Sequence, residues 1–121
     1  MRRHLESNLQ KNCVYWFRLQ YPQFERLLFS VPNGGKRNAR EAAILKAEGT
    51  VSGVSDLILL VPSGGYSSLC IEMKHGKGKQ TDNQIAWQKA AEKFGNKYVV
   101  CRSIEEFIDT IKSYLKNSFF D

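Results

Sequence analysis

The sequence predicts an α/β fold, a central mixed four-stranded sheet with helices on both faces, in the order αβαββαβα. Three observations lead there. A hydrophobic pattern at helical spacing opens the chain, short apolar runs bounded by Pro and Gly alternate with further helical stripes, and two S/T-x-x-E/Q stretches mark helix starts in the C-terminal half. The 121 residues, with 42% hydrophobic and 25% charged side chains, suit one folded domain over 1–121 rather than a disordered chain.

Residues 5–20 place Leu5, Leu9, Cys13 and Trp16 or Phe17 at helical spacing, and Tyr21-Pro22 ends the run, so an amphipathic helix comes first. Residues 27–31 form a short strand closed by Pro32-Asn33-Gly34-Gly35. Ala39, Ala42, Ala43 and Ala47, with Ile44 and Leu45, give a second helix over 38–48 that Gly49 stops. Residues 56–61, Asp-Leu-Ile-Leu-Leu-Val, are apolar on both faces after the first, the pattern of a central strand covered on both sides. A turn over 62–66 leads to a return strand over 68–74. Thr81-x-x-Gln84 has the form of a capping box and opens a helix with Trp87, Ala90, Ala91 and Phe94 on one stripe and Gly95 at its end. A fourth strand follows over 97–102. Ser103-x-x-Glu106 is a second capping box, and Ile104, Phe107, Ile108, Ile111 and Leu115 form the buried stripe of the last helix.

The longest apolar run, 57–61, is stopped by Pro62 and falls far short of the roughly 20 residues that a bilayer span needs. Met1-Arg2-Arg3-His4-Leu5-Glu6 is basic with no apolar stretch behind it, unlike a secretory signal, so we expect a cytoplasmic protein with no membrane partner. Cys13, Cys70 and Cys101, odd in number and widely spaced in apolar patterns, read as reduced core thiols, and no C-x-x-C pair offers a zinc site. A net charge of +6 points to a polyanionic partner, foremost nucleic acid, against the plainer alternative of a solvated basic surface.

The stretch S-L-C-I-E-M-K-H-G-K-G-K-Q, from Ser68 to Gln80, puts Leu69, Ile71 and Met73 in one phase of a strand and Ser68, Cys70, Glu72 and Lys74 in the other. If Val61 pairs with Ser67 across the turn, Asp56 stands opposite Glu72, with Cβ atoms roughly 4.5 to 5.5 Å apart. Two carboxylates so close need a cation between them or a proton on one of them. Lys74, two residues on, joins the same face. Hard divalent cations such as Mg²⁺ are held by one or two carboxylates plus water and a substrate phosphate, so the patch suits metal-assisted phosphodiester hydrolysis. Lys74 would orient the attacking water or neutralise developing charge. The competing reading is an ordinary Glu72 and Lys74 on an exposed strand face with Asp56 capping a loop, and a one-residue slip in register would separate the two acids.

Gly53-Val54-Ser55-Asp56, a hairpin, and Glu72-Met73-Lys74 resemble the PD-(D/E)XK nuclease signature. Pro32-Asn33-Gly34-Gly35-Lys36-Arg37, Gly49, Gly53-Val54-Ser55-Asp56-Leu57, Glu72-Met73-Lys74 and Gln84-x-x-Trp87 narrow the resemblance to the VRR-NUC family, the virus-type replication and repair nucleases, from about Glu6 to Glu106. Ser55 departs from the pattern by standing where the named signature has proline. The resemblance implies a restriction-endonuclease-like fold and a Mg²⁺- or Mn²⁺-dependent DNA endonuclease. In it Asp56 and Glu72 hold the metal, the Met73 backbone carbonyl is a third ligand, and Lys74 is the catalytic lysine. Glu6 resembles a first-helix acid that holds the metal or its water, with service to the helix dipole as its structural alternative. Gln84 matches the family's glutamine at the active-site helix, with completion of the capping box as its alternative.

By the same resemblance the protein acts as a homodimer on branched DNA such as Holliday junctions, and it is phage-like. Lys36, Arg37 and Arg40, at the loop into the second helix, and Lys77 and Lys79, among glycines beside Lys74, are the candidate DNA contacts. His75 and His4 stay outside the catalytic set. Phe119-Phe120 offers a candidate interface against the plainer reading of a frayed terminus. A rival reading of the whole chain is a catalytically silent DNA-binding module of a replication or recombination complex.

Overall fold

A computed structural model describes residues 2–32 and 38–118. The first helix, α1 (Arg2–Gln20), turns Cys13 and Phe17 fully inward and rests Leu9 and Trp16 on the edge of the core. Pro22, at the first turn, starts a 3₁₀ helix (Pro22–Leu27) that the sequence pattern did not announce, and it buries Phe24. The chain then forms β1 (Leu28–Ser30), α2 (Ala39–Ala47), β2 (Leu57–Leu59), β3 (Leu69–Met73), α3 (Asp82–Lys93), β4 (Lys97–Cys101) and α4 (Ile104–Leu115). Apart from that 3₁₀ segment the order is αβαββαβα, as expected.

The sheet runs β1-β2-β3-β4. The first three strands are antiparallel and β4 lies parallel to β3, so the sheet is mixed. Leu57 pairs with Ile71 and Leu59 with Leu69. This is the register in which Asp56, one residue before β2, comes to face Glu72.

One face of the sheet carries the core. Leu57, Leu59, Leu69, Ile71 and Met73 pack with Cys13 and Phe17 of α1 and with Phe107, Ile111 and Leu115 of α4. Each such apolar side chain contributes about 1.5 to 3 kcal/mol on burial. Tyr114 ties α4 to the hairpin, donating its hydroxyl proton to the Val61 carbonyl at 2.6 Å and accepting at its own carbonyl from the Ser63 hydroxyl. Cys13, Cys70 and Cys101 are buried free thiols. Among the described residues no helix is long and apolar enough to cross a membrane.

Four details depart from the sequence reading. The strand covered on both faces is β3, not β2: every residue of β3 is buried, whereas Leu60, just past β2, is 52% exposed. No residue of α2 is buried, so α2 does not cover the outer part of the sheet, and Leu27 and Phe29 stand open there beside Leu60. On α3 the inward stripe is Gln84, Trp87, Gln88 and Ala91, while Ala90 is exposed and Phe94 is 75% exposed under the Lys93 ammonium. The polar members of that stripe have polar partners: Gln84 meets Glu72 and Lys74, and Gln88 accepts from Gln80, while Trp87 packs on Tyr98 of β4. The second capping box closes by one bond only. Ser103 accepts from the Glu106 N–H at 3.1 Å, but the Glu106 carboxylate takes the N–H of Arg102, at 2.6 Å, in place of that of Ser103.

Candidate active site

The loop into β2 sets the first acid. Ser55, the residue in the position where the nuclease signature has proline, is fully buried and donates its hydroxyl to the Leu57 carbonyl at 3.1 Å. Asp56 then leans across to β3, where its Oδ2 accepts from the Met73 N–H at 2.7 Å. That bond continues the strand register by side chain where the backbone ladder stops. The Met73 side chain itself points into the apolar core, and its peptide stays at the site.

Glu72 and Lys74 project from the opposite face of β3, yet they are only 2% and 8% exposed. An exposed, solvated strand face is thereby ruled out. Lys74 Nζ lies 3.7 Å from Glu72 Oε2 and donates to Gln84 Oε1 at 3.0 Å. Gln84 Nε2 donates to Glu72 Oε2 at 2.9 Å. The same Gln84 Oε1 accepts from the Thr81 N–H at 2.8 Å, and the Thr81 hydroxyl accepts from the Gln84 N–H, so the capping box is complete. The capping-box reading of Gln84 holds, and the same side chain also reaches Glu72 and Lys74. It fixes the start of α3 and grips the acid and the lysine with one amide group.

Gly53 makes this possible. Its φ is +88°, and a Cβ there would meet Asn83 O at 2.3 Å and Gln84 N at 2.9 Å. The backbone before Asp56 therefore touches the backbone that carries Gln84, a contact that only a residue without a side chain allows.

Burial raises the pKa of Asp56, opposed by the Met73 N–H, while the Glu6 carboxylate adds to the rise. Glu72 is pushed up to about 8, first by burial and then by the Asp56 charge, with Lys74 acting in the other direction. Burial and mutual repulsion thus disfavour having both acids charged when no cation lies between them. Glu72 Oε1 is buried without a hydrogen-bond partner. A buried carboxylate oxygen left over beside a second carboxylate is the donor set that a hard divalent cation takes, so the residues fit such an ion. Among the described residues no third Asp, Glu, His or Cys joins them as a ligand cluster, which leaves the rest of the shell to backbone, water and phosphate oxygens.

Glu6 lies in the second turn of α1, since the helix starts at Arg2 and has no acid in its first turn. Service to the helix dipole is therefore not its role. Its Oε2 accepts from the His75 N–H at 3.1 Å, tying α1 to the end of β3. A cleft of about 700 Å³ gathers Glu6, Asp56, Glu72, Met73, Lys74 and Gln84 between α1 and the first strands.

The candidate DNA contacts are less concentrated. Arg40 stands exposed in the first turn of α2, and Lys77 and Lys79 are exposed on the loop after β3, none of them on the cleft wall. Lys36 and Arg37 lie outside the described residues, as does Phe119-Phe120. The sequence reading missed Arg102, whose guanidinium donates to the carbonyls of Gly76 and Gly78 at 2.8 and 2.7 Å and so shapes the loop carrying Lys77. It also missed Lys11, Tyr15 and Arg18 of α1, which line the cleft. Their recurrence every three or four residues was visible, but it reads equally well as the wet side of an amphipathic helix.

Residues 1–105 match the family model described as the VRR-NUC domain. The chain belongs to the VRR-NUC family. A solved structure described as a VRR_NUC domain protein is similar to this chain with a TM-score of 0.80 and 27% identity, covering 92% of this chain and 88% of that one. No curated protein matches the chain. The mixed sheet and its helices thus form the restriction-endonuclease-like arrangement, and VRR-NUC membership makes this a nuclease-type, DNA-processing domain. Nuclease domains of the PD-(D/E)XK kind usually use divalent metals.

Proposed function

We propose that this VRR-NUC protein is a Mg²⁺- or Mn²⁺-dependent DNA endonuclease that hydrolyses phosphodiester bonds in branched DNA such as Holliday junctions. It works as a homodimer of single 1–121 domains in the bacterial cytoplasm, encoded by a phage. The observation that carries the chemistry is the unpartnered, buried Glu72 Oε1 beside Asp56, with Lys74 held against the same pair.

Asp56 and Glu72 would hold the ion, with the Met73 carbonyl as a backbone ligand. When bound, the ion supplies Lewis acidity toward a phosphoryl oxygen and lowers the pKa of water. Lys74 brings a fixed positive charge to the oxygens on which charge develops, and Gln84 keeps its ammonium from collapsing fully onto Glu72. Glu6 positions the loop after β3 through the His75 N–H and adds negative charge near the ion. Arg40, Lys77 and Lys79, together with Lys36 and Arg37, bind phosphates flanking the cut. Two copies would place two such sites symmetrically on a junction.

A synthetic four-way junction incubated with Mg²⁺, Mn²⁺ or EDTA tests this reading. Cutting is expected with either ion and absent in EDTA. Asp56→Ala and Glu72→Ala are expected to lower cutting by more than about a hundredfold, beyond what loss of a supporting contact costs, while DNA affinity largely persists. Tight binding without cutting under every divalent ion would establish the silent-module reading instead.

A further inference from the structure

The cleft that holds the acids does not end with them. It continues along α1 from Glu6 to Arg18 and is lined on that wall by Lys11, Tyr15 and Arg18. At 1.5 Å per helical residue this wall is about 18 Å long, several times the roughly 3.4 Å that one nucleotide occupies along a strand. Lys11, Tyr15 and Arg18 follow one another at steps of four and three residues and so share one helix face. Tyr15 is 67% exposed between the two cations, and Phe29, 39% exposed, lines the same cleft from β1. The acids that line the cleft, Glu6, Asp56 and Glu72, gather at its catalytic end. Among the described residues the one salt bridge joins Lys74 to Glu72, so neither Lys11 nor Arg18 is neutralised by an ion pair.

We infer that the α1 wall is a docking track for unpaired DNA, in which Lys11 and Arg18 take phosphates of one strand on either side of Tyr15, which stacks on a base of the strand leading from the scissile phosphate. An aromatic ring between two cations along a groove suits a single strand, whose bases turn outward and stack without regard to sequence. Paired DNA keeps its bases inside and would use the cations alone. The inference deepens the nuclease reading and rests on it for the direction of the strand. Within branched DNA it favours forms with unpaired nucleotides next to the cut over fully paired junctions.

The test measures anisotropy of a fluorescein-labelled oligothymidine and of a blunt duplex of equal length, both in EDTA, so that no cutting is needed. Tyr15→Ala is expected to weaken oligothymidine binding by at least about fivefold, the lower end for one base stack, with little change on the duplex, and Tyr15→Phe is expected to restore it. The double change Lys11→Ala with Arg18→Ala is expected to make the negative slope of log K against log salt on the single strand shallower by about 1.4, at about 0.7 per lost phosphate contact. Melting by circular dichroism checks that these exposed substitutions leave the fold intact. Unchanged oligothymidine binding by Tyr15→Ala, equal losses on single strand and duplex, or no oligothymidine binding by the parent protein would each overturn the inference. Failure of the parent to cut any DNA with a divalent ion would overturn the nuclease reading and leave these binding results standing.

Discussion

The side-chain amide of Gln84 donates to the Glu72 carboxylate at 2.9 Å, joining the first turn of a helix to the buried acid of a strand. Its oxygen meanwhile accepts from the Lys74 ammonium and from the Thr81 backbone. Gln84→Ala removes all three contacts. It is expected to destabilise the protein by roughly 1 to 2 kcal/mol in urea unfolding, because a buried carboxylate loses its donor. Turnover with Mg²⁺ is expected to fall about 10- to 100-fold, as for other supports of a metal ligand. Gln84→Glu keeps an acceptor for Thr81 and Lys74 but sets another negative charge against Glu72, so its stability deficit is expected to be larger at pH 8 than at pH 5.

The raised pKa of Glu72 fixes a pH dependence. An acid at about 8 in the fold and near its ordinary value when unfolded binds more protons in the folded state across that window. Stability of the metal-free protein therefore falls as pH rises from about 4.5 to 8. The melting temperature in EDTA is expected to drop by several degrees between pH 5 and 8, since about 1 kcal/mol moves it by roughly 4 °C in a domain of this size. Glu72→Gln is expected to flatten that curve and to raise the melting temperature at pH 8 while ending catalysis. Excess Mg²⁺ is expected to oppose the drop in the parent protein, because an ion held by the proposed ligands would require the deprotonated pair.

Gly53 offers a test of the contact between the two halves of the site. Gly53→Ala puts a methyl group 2.3 Å from Asn83 O at a positive φ of 88°. The loop or the start of α3 must shift, at a cost of more than about 1 kcal/mol. Cutting is expected to fall through kcat with DNA affinity retained, since the substitution displaces Gln84 and touches none of the basic residues. A fall in affinity at unchanged kcat would contradict that account.

Arg102 was absent from the sequence reading and acts through a loop. Arg102→Ala releases the Gly76 and Gly78 carbonyls. The expected result is a few-fold weaker DNA binding in a metal-free titration, as Lys77 and Lys79 lose their fixed presentation, with kcat at saturating DNA nearly unchanged. Both bonds come from one nitrogen, Nη1, so Arg102→Lys, whose ammonium carries three donors, is expected to recover much of the loss.

Much of the site was legible because strand periodicity and turn length together set a register. With Val61 and Ser67 flanking the turn, Asp56 had to face Glu72, and the observed pairing of Leu57 with Ile71 is that arrangement. The capping box at Thr81 was legible for a similar reason, since it is a local pattern with a local hydrogen-bond answer. What local pattern does not encode is which neighbour covers a face. Residues 57–61 look more apolar than 69–73, yet β3 is the strand buried throughout, because it lies between β2 and β4 with Gln84 of α3 at its charged end, while no residue of α2 is buried. Glu72 and Lys74 are ionisable yet buried, and Gln84, arriving from α3, bonds them both. The helix-dipole alternative for Glu6 failed on a helix boundary: α1 starts at Arg2 and so moves Glu6 into the second turn.

The amide that opens α3 is also the one that steadies the cutting machinery. A nascent chain, or one whose helix has frayed by a single turn, thus lacks the brace on its acid and the anchor of its ammonium at the same moment. Until its C-terminal half has closed over the hairpin, such a chain holds neither the acid nor the lysine in place.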